Sequence, residues 1–258
     1  MMTLTQIESF YPETLRPFKK NLLREYLQYK ILEIIFASPQ GLKMAFLGGT
    51  ALRIIYEQPR FSEDLDFDNF GLSELEFTDL SHTVRQGLER EGLVVEIKQT
   101  MKGAFRCNIK LPGILFAEDL SPLPQEKILI QIDTAPHDFV YEADVKLINK
   151  FDVITDVRTT PLDIILAQKI YAIFGRKRAK GRDFFDVLFL FGRTRPNYKY
   201  LKQKLEIGNA QILKEKLLEK VNTLDMKALA RDVAPFLFRP SESAKVERFG
   251  EYVERMEL

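Results

Sequence analysis

The spacing of apolar residues changes character once along this chain, near Thr159. Before that point, segments that alternate between polar and apolar residues predict β-strands between helices, whereas after it every apolar pattern has helical spacing. The change predicts an α+β fold with a mixed domain over residues 1–158 and an all-helical domain over residues 159–258. A chain of 258 residues suits one large domain or two modest ones, because domains usually contain about 100–200 residues.

The mixed part contains several segments that predict a sheet. Leu65 and Phe67 alternate with acidic residues, so one face of this segment suits a core. The predicted strands cover residues 44–47, 60–68, 93–99, 104–111 and 128–133. The predicted helices cover residues 12–37, a segment capped by Thr50, and a segment that begins with a Ser73–Glu76 capping box.

The helical part begins with a clear start signal. Thr160 suits the N-cap and Pro161 the first helical position, because proline has no N–H that would need a partner there. The predicted helices cover residues 162–174, 183–191, 197–206, 210–221, 225–236 and 242–256.

Composition excludes several kinds of site. One cysteine and two histidines rule out an intrachain disulfide and argue against a zinc site, so carboxylates would have to hold any metal, and they suit Mg²⁺ or Mn²⁺. We expect a cytoplasmic protein, because the sequence has neither a signal-peptide pattern nor a run approaching ~18 apolar residues. The formal net charge is +1, so attraction to nucleic acid would have to come from local patches.

Four acidic residues lie within residues 63–68, and this cluster is a candidate metal site. On a strand, Asp64 and Asp66 project to the same face with Cα atoms about 6–7 Å apart, close enough to share a divalent ion. Asp133 ends another alternating segment and is the candidate third carboxylate. The alternative is a solvated acidic edge that prevents strand pairing.

A glycine turn precedes the acids and favours the metal interpretation. Gly48 and Gly49 let the backbone approach a ligand, and N–H groups near Thr50 suit phosphate. Arg60 and Ser62 lie between the turn and the acids. Either motif alone fits an ordinary turn or a surface edge, but their order predicts a site for a divalent cation and a phosphate-bearing ligand.

A second candidate cluster lies in the helical part. Lys169 shares the apolar face of its predicted helix, so it either extends to solvent or meets a negative partner such as a triphosphate. Residues 175–182 contain five basic residues, including Arg182, and predict a loop for phosphate or nucleic-acid backbone, or a solvated charge run. Asp183 and Asp186 share a helix face; Asp183 either caps its helix or takes a site role, and Asp186 supports its neighbours.

Both clusters resemble the signatures of one known family. The resembling segments are residues 46–52, residues 60–67, Lys169 and residues 182–186. They are similar to the AbiEii/AbiGii-type toxins, which are DNA polymerase β-like nucleotidyltransferases. The resemblance implies a polymerase β-like core, with a small mixed sheet and flanking helices, followed by an all-helical C-terminal domain.

The resemblance also implies an activity and partners. Members of the family transfer a nucleoside monophosphate from an NTP and release pyrophosphate. They frequently act as the toxin of a toxin–antitoxin or phage-defence system, beside a separately encoded antitoxin, and some relatives modify tRNA. For this chain we therefore expect an NTP substrate, Mg²⁺ with Mn²⁺ as the alternative, an RNA or tRNA acceptor, a type IV-like system with an antitoxin, and no membrane.

The predicted roles draw on both clusters. Asp64 and Asp66 bind Mg²⁺, and Asp133 binds a second ion or activates the acceptor hydroxyl. Lys169 and Asp183 complete the predicted catalytic set. The predicted nucleotide-binding residues are Gly48, Gly49, Thr50, Arg60, Ser62, Lys169, Arg182 and Asp186.

Alternatives stay open on the sequence alone. The basic loop favours RNA as the acceptor, but a small hydroxyl compound, as in antibiotic-modifying enzymes, or a protein side chain would use the same metal site. A module that binds nucleotide or RNA without catalysis would have no need of the intact pair of Asp64 and Asp66.

Overall fold

The computed structural model describes residues 1–256, which form two compact units. The first unit comprises residues 1–57 and 61–160, and the second comprises residues 58–60 and the chain from Pro161 onward. The division after residue 160 lies two residues beyond the predicted boundary after residue 158. No local pattern indicated that residues 58–60 belong to the second unit. Residues 257 and 258, the end of the predicted second domain, lie outside the described residues.

The first unit begins with helix α1 (Leu4–Ser9), a 3₁₀ segment (Glu13–Phe18) and helix α2 (Lys19–Ala37). The prediction of one helix over residues 12–37 is therefore wrong at its start. Pro17 lies in the 3₁₀ segment, where its missing N–H and its ring are incompatible with a continuous α-helix. Leu23, Leu27, Ile31 and Ile35 of α2 recur at helical spacing and are buried, as that spacing predicts.

Strand β1 (Met44–Leu47) leads directly into helix α3 (Gly48–Tyr56). The prediction that Thr50 caps this helix is wrong, because α3 begins at Gly48 and Thr50 lies inside it. The Thr50 hydroxyl instead donates a hydrogen bond to the backbone carbonyl of Asp64. A tertiary partner has replaced the local cap that the sequence suggested.

The rest of the first unit alternates strands and helices. They are strand β2 (Leu65–Asn69), helix α4 (Glu74–Arg90), strands β3 (Glu96–Lys102) and β4 (Ala104–Pro112), the short helix α5 (Ile114–Ala117), and strands β5 (Lys127–Pro136), β6 (Asp144–Lys150) and β7 (Val153–Thr159). The predicted Ser73–Glu76 capping box of α4 is confirmed. The alternation that began at residue 60 forms a strand only from Leu65, and the remaining predicted strands are confirmed with shifted ends.

The hairpin of β6 and β7 was not predicted. Ile148, Val153 and Val157 are buried in it, at 4%, 1% and 0% exposure. The alternation of Val153, Thr155 and Val157 is the signal that would have indicated β7.

The seven strands form one mixed sheet in the order β3-β4-β5-β2-β1-β7-β6. Strand β2 pairs antiparallel with β1 and parallel with β5, and β1 pairs parallel with β7. Ile130 and Ile132 of β5 are buried, while Gln131 and Asp133 project from the opposite face. The centre of the sheet therefore places the glycine turn beside the strands that carry the predicted acids.

The second unit is helical, as predicted. Its helices are α6 (Leu162–Gly175), α7 (Gly181–Phe191), α8 (Tyr198–Leu205), α9 (Ala210–Asn222), α10 (Met226–Val233), α11 (Ala244–Glu247) and α12 (Phe249–Arg255), with 3₁₀ segments at Ala234–Phe236 and Pro240–Ser243. Between residues 1 and 256, no helix combines the length and the apolar character needed to cross a bilayer.

Two predicted helix starts in this unit are displaced. Pro161, not Thr160, occupies the N-cap position of α6, because the Thr160 amide donates to the Phe46 carbonyl (3.0 Å). Asp183 does not cap α7, since that helix begins at Gly181 with Lys180 at the N-cap position. The basic loop is therefore Arg176–Lys180, shorter than the predicted residues 175–182.

Candidate active site

Gly48 joins β1 to α3 and lies against the side chain of Asp66. Its φ angle is +79°, a left-handed conformation that residues with a Cβ rarely adopt. A Cβ atom at this position would lie 3.1 Å from the Asp66 Cβ and closer still to the carboxylate oxygen Oδ2. Glycine is therefore required for the turn to approach this carboxylate. The approach brings the glycine turn next to the acidic segment, the two motifs predicted from the sequence.

Hydrogen bonds hold the segment just before β2. Besides the bond from Thr50 to the Asp64 carbonyl, the Gln28 side chain on α2 donates to the carbonyl oxygens of Ser62 (3.1 Å) and Glu63 (2.9 Å). Gln28 is 1% exposed, so these bonds are shielded from water. Ser62 and Asp64 are thus tied to two helices of the first unit.

The register of the sheet brings Asp66 next to Asp133. The two residues are direct partners in the parallel pair of β2 and β5, so their side chains project from the same face of neighbouring strands. Asp133 Oδ2 accepts hydrogen bonds from Arg106 Nη2 (2.7 Å) and Nε (3.1 Å) and from Gln131 (3.2 Å). The partially exposed Arg106, on β4, was not anticipated from the sequence.

The first-unit acids have the right chemistry for a divalent cation but are not gathered around one point. Carboxylate oxygens are the ligands that Mg²⁺ and Mn²⁺ prefer. Within residues 1–256, however, no three Asp, Glu, His or Cys side chains stand close enough together to hold one ion. Asp133 would have to leave Arg106 before it could join Asp64 and Asp66, so the predicted set of three ligands stays a prediction.

Asp68, the third aspartate of the acidic segment, is bonded to residues far from it in the sequence. Its Oδ2 accepts from the Tyr141 hydroxyl (2.6 Å), and its Oδ1 lies 3.2 Å from His137 Nδ1. Asp68 is 8% exposed. No local pattern could have indicated these partners, because more than sixty residues separate them along the chain.

The second unit contains a buried ionic cluster around Asp186. Its carboxylate accepts from Arg60 Nε and Nη2 (both 2.7 Å) and from Gln58 Nε2 (2.7 Å), and Lys169 Nζ lies 2.9 Å away. Burial opposes the ionisation of Asp186, but the positive charges of Arg60 and Lys169 outweigh this effect and hold the pKa of its carboxyl well below the usual value. The Asp186 carboxylate therefore holds the side chains of Arg60, Gln58 and Lys169 together in this cluster.

Arg60 is held in this cluster with its side chain only 1% exposed. The sequence predicts that Arg60 contacts phosphate or holds the acidic strand, and contact with phosphate would require the bidentate pair with Asp186 to open. The nucleotide-binding roles of Arg60 and Asp186 stay predictions. Gln58, also in this cluster, was missed because its position in the second unit is a tertiary feature.

Asp183 is the second buried carboxylate of this unit. It is 1% exposed and forms ion pairs with Arg176 Nε (2.8 Å) and Lys169 Nζ (3.6 Å). Neither of its buried oxygens accepts a hydrogen bond within the described part of the chain. The charge of the buried Asp183 carboxylate is therefore compensated by these two basic side chains, and the site roles of Asp183 and Lys169 stay predictions.

Arg182 lies near the start of α7, and its guanidinium is 5.9 Å from the ring centre of Phe236. The loop Arg176–Lys180 next to it exposes Arg176, Lys177 and Arg178. The role of Arg182 in triphosphate binding stays a prediction.

Comparison with solved structures finds the same fold at low sequence identity. MenT4, a nucleotidyltransferase toxin from Mycobacterium tuberculosis, is similar with a TM-score of 0.64 and 13% identity, over 100% of this chain and 91% of that chain. JHP933 from Helicobacter pylori is similar with a TM-score of 0.55 and 20% identity, over 91% of this chain and 92% of that chain. A comparison with curated proteins finds no match.

The family is established by the sequence. A family model described as nucleotidyl transferase AbiEii toxin, type IV toxin–antitoxin system, matches residues 30–255, which is nearly the whole chain. The predicted resemblance is confirmed, and the chain belongs to the AbiEii family of nucleotidyltransferase toxins.

Proposed function

We propose that this nucleotidyltransferase transfers a nucleoside monophosphate from an NTP to a hydroxyl group of RNA, with tRNA as the expected acceptor, and requires Mg²⁺. The observation that carries the proposal is the position of Asp66, which lies beside Asp133 in the sheet and against Gly48 in the turn. Two carboxylates on neighbouring strands can hold a divalent cation between them once Asp133 leaves Arg106. Their placement beside a glycine turn suits a triphosphate bound with its metal.

Asp64 and Asp66 would hold the ion in this proposal. A bound Mg²⁺ neutralises charge on the triphosphate and aligns the reacting oxygens. Because Arg106 is partially exposed, it can move away from Asp133, which would then bind a second ion or accept the proton of the attacking hydroxyl.

The start of α3 would contact the phosphates through its backbone. The first N–H groups of a helix have no partner within the helix and favour anions, and in α3 these belong to Gly48, Gly49 and Thr50. The Thr50 hydroxyl is bonded to the Asp64 carbonyl, so its contribution to phosphate binding would come from its N–H group.

RNA is the proposed acceptor because of the basic loop. Four of the five residues in Arg176–Lys180 are basic, while the net charge of the chain is only +1. Such a local patch attracts a phosphate backbone without requiring a basic protein. Small hydroxyl compounds and proteins are the competing acceptors.

The test is incubation of the protein with Mg²⁺, one radiolabelled NTP at a time, and total RNA, a panel of small hydroxyl compounds, or a protein extract. We expect the label in RNA, and loss of incorporation in Asp64→Ala and Asp66→Ala. The control variant is Asp156→Ala, which removes an exposed strand carboxylate from β7 in the same sheet. Full activity in either Asp64→Ala or Asp66→Ala would refute the metal role, and label in another acceptor would replace RNA as the proposed acceptor.

We also propose that the chain acts in the cytoplasm as the toxin of a type IV-like or phage-defence system with a separately encoded antitoxin. The family assignment supports this proposal. Induced expression should arrest growth, and the arrest should disappear with Asp66→Ala. Growth arrest of equal strength with the inactive variant would show that toxicity does not arise from nucleotidyl transfer.

A further inference from the structure

The carboxylate of Asp68 joins three separate parts of the first unit. The Tyr141 hydroxyl donates to Asp68 Oδ2 (2.6 Å) and lies 2.8 Å from the Thr160 hydroxyl, which itself lies 3.4 Å from the same oxygen. On the other oxygen, His137 Nδ1 is 3.2 Å away. We use the name Asp68 cluster for Asp68, His137, Tyr141 and Thr160.

The cluster is connected to the strand that leads into the glycine turn. The Thr160 amide donates to the Phe46 carbonyl (3.0 Å), and the Thr159 hydroxyl donates to the same oxygen (2.8 Å). Phe46 precedes Gly48 by two residues. The end of β7, the end of β1 and the acidic strand β2 are thus held by one set of bonds.

Side chains, not sheet pairing, hold the segment that contributes His137 and Tyr141. Residues 137–143 have no regular secondary structure, so no ladder of backbone bonds fixes them. Tyr141 instead packs edge-on against Phe70 and His137, with ring centres 5.1 and 4.9 Å apart. This packing shields the bonds to Asp68 from water, where they are stronger.

We propose that the Asp68 cluster positions Asp66 for catalysis by fixing the strand that carries both residues. Asp68 is 8% exposed and its oxygens face Tyr141, Thr160 and His137, so its own contacts are those of a positioning residue and not of a metal ligand. Misplacement of a reacting group by about 1 Å can cost ~100-fold in rate. The proposal rests on the metal role proposed above for Asp66.

The test compares two variants that each lose one hydroxyl group in the same unit. Tyr141→Phe removes the bond to Asp68. Tyr26→Phe is the matched control, because the buried Tyr26 hydroxyl bonds to Asp152 (3.3 Å) and to the Met2 amide (3.0 Å), and Asp152 lies in the turn before β7, at the far end of that strand from Thr160.

We expect Tyr141→Phe to lower kcat about five- to tenfold with less than a twofold change in the KM for NTP, since the lost contact acts on the geometry of the reaction and not on substrate binding. Tyr26→Phe should keep kcat within about twofold of the wild type. Both variants should lose a similar amount of thermal stability. Equal kcat values for the two variants would overturn the proposal. It would also be overturned if Tyr141→Phe lost much more thermal stability than Tyr26→Phe and the lower kcat followed from that loss.

A second readout does not depend on catalysis. Hydrogen exchange of the β2 amides should be faster in Tyr141→Phe and in Asp68→Asn than in Tyr26→Phe, and unchanged rates would overturn the positioning role. If Asp66→Ala keeps full incorporation, or if the wild type incorporates no label, the proposed metal-dependent activity fails, and hydrogen exchange alone decides whether the Asp68 cluster holds β2. If Asp66→Ala is inactive while Tyr141→Phe is fully active, only the positioning proposal fails.

Discussion

At the scale of single residues, Asp186 shows how a buried charge depends on its partners. Its side chain is 0% exposed and that of Arg60 is 1% exposed. Removing one partner of a buried ion pair leaves the other without compensation, which costs about 3–5 kcal/mol. We expect Asp186→Ala to lower the free energy of unfolding by this amount in chemical denaturation.

The control is Glu242→Ala, which breaks the more exposed pair with Lys245 (2.8 Å) in the same unit. Exposed pairs contribute about 0–1 kcal/mol. Equal losses in the two variants would contradict the special cost of the buried cluster.

The dependence of the unfolding free energy on pH should also reflect the buried Asp186 carboxylate. The pKa of Asp186 is lowered in the folded protein by Arg60 and Lys169 despite its burial, whereas an unfolded Asp has a pKa of about 3.9. As the pH falls, the unfolded chain binds the proton first, so the stabilisation from Asp186 is complete above about pH 5 and is lost progressively as the pH falls further towards the lowered pKa of the folded state. The difference in unfolding free energy between the wild type and Asp186→Asn should shrink on acidification. A difference that widens would contradict this sign.

Gly48 offers a residue-scale test with a matched control. Gly48 (φ +79°) and Gly113 (φ +77°) both adopt left-handed backbone, but only Gly48 has Asp66 where a Cβ would stand, and nothing lies within 4 Å of the Gly113 position. Each change to Ala should cost about 1–2 kcal/mol of stability. Gly48→Ala should also lower nucleotide incorporation more than about tenfold by displacing the Asp66 carboxylate. Equal activity in Gly48→Ala and Gly113→Ala would show that the close approach is not needed.

At the scale of elements, the side chain of Gln28 connects α2 with the segment before β2. Changing Gln28 to Leu leaves the part-buried Ser62 and Glu63 carbonyls without this donor, and each unsatisfied carbonyl costs at most about 1–3 kcal/mol. We expect lower stability and faster proteolysis or hydrogen exchange around residues 62–64. Ser81→Ala is the control, because the buried Ser81 hydroxyl donates to the Phe77 carbonyl of its own helix (2.8 Å) and also interacts with Cys107 on β4, not with residues 62–64. The same local exchange in both variants would rule out the connection.

Element types followed from periodicity more reliably than element ends did. The strand pattern of residues 128–133 and the capping box of α4 depend on neighbouring residues, so local reasoning was sufficient. Thr50 and Thr160 both suited a cap, yet each has a partner more than ten residues away: the Asp64 carbonyl for Thr50 and the Phe46 carbonyl for Thr160. A tertiary hydrogen bond thus displaced the local choice.

At the scale of the whole molecule, basic residues are locally dense in one loop. The chain has a net charge of +1, but the loop Arg176–Lys180 is strongly basic. If this loop binds RNA, the double variant Lys177→Ala with Arg178→Ala should weaken RNA binding and lower the slope of log K against log salt by about 1–2. The double variant Lys199→Ala with Lys202→Ala removes the same charge from exposed positions on α8 and should leave the slope unchanged. Equal slopes for both double variants would exclude the loop as the binding patch.

Family membership could be predicted from the sequence, because each of the two signatures is a pattern of neighbouring residues. The family match over residues 30–255 confirms the prediction. The partners that the site residues contact in space could not be predicted from the sequence. Residues 58–60 belong to the second unit, and Asp133 meets Arg106 across β4 and β5. His137 and Tyr141 converge on Asp68.

The amino-acid sequence alone therefore determined the family and the type of most helices and strands, but not the hairpin of β6 and β7. Strand register and side-chain contacts across the sheet decided how the candidate site residues are held. Register depends on packing between segments distant along the chain, and a pattern of neighbouring residues has no information about that packing.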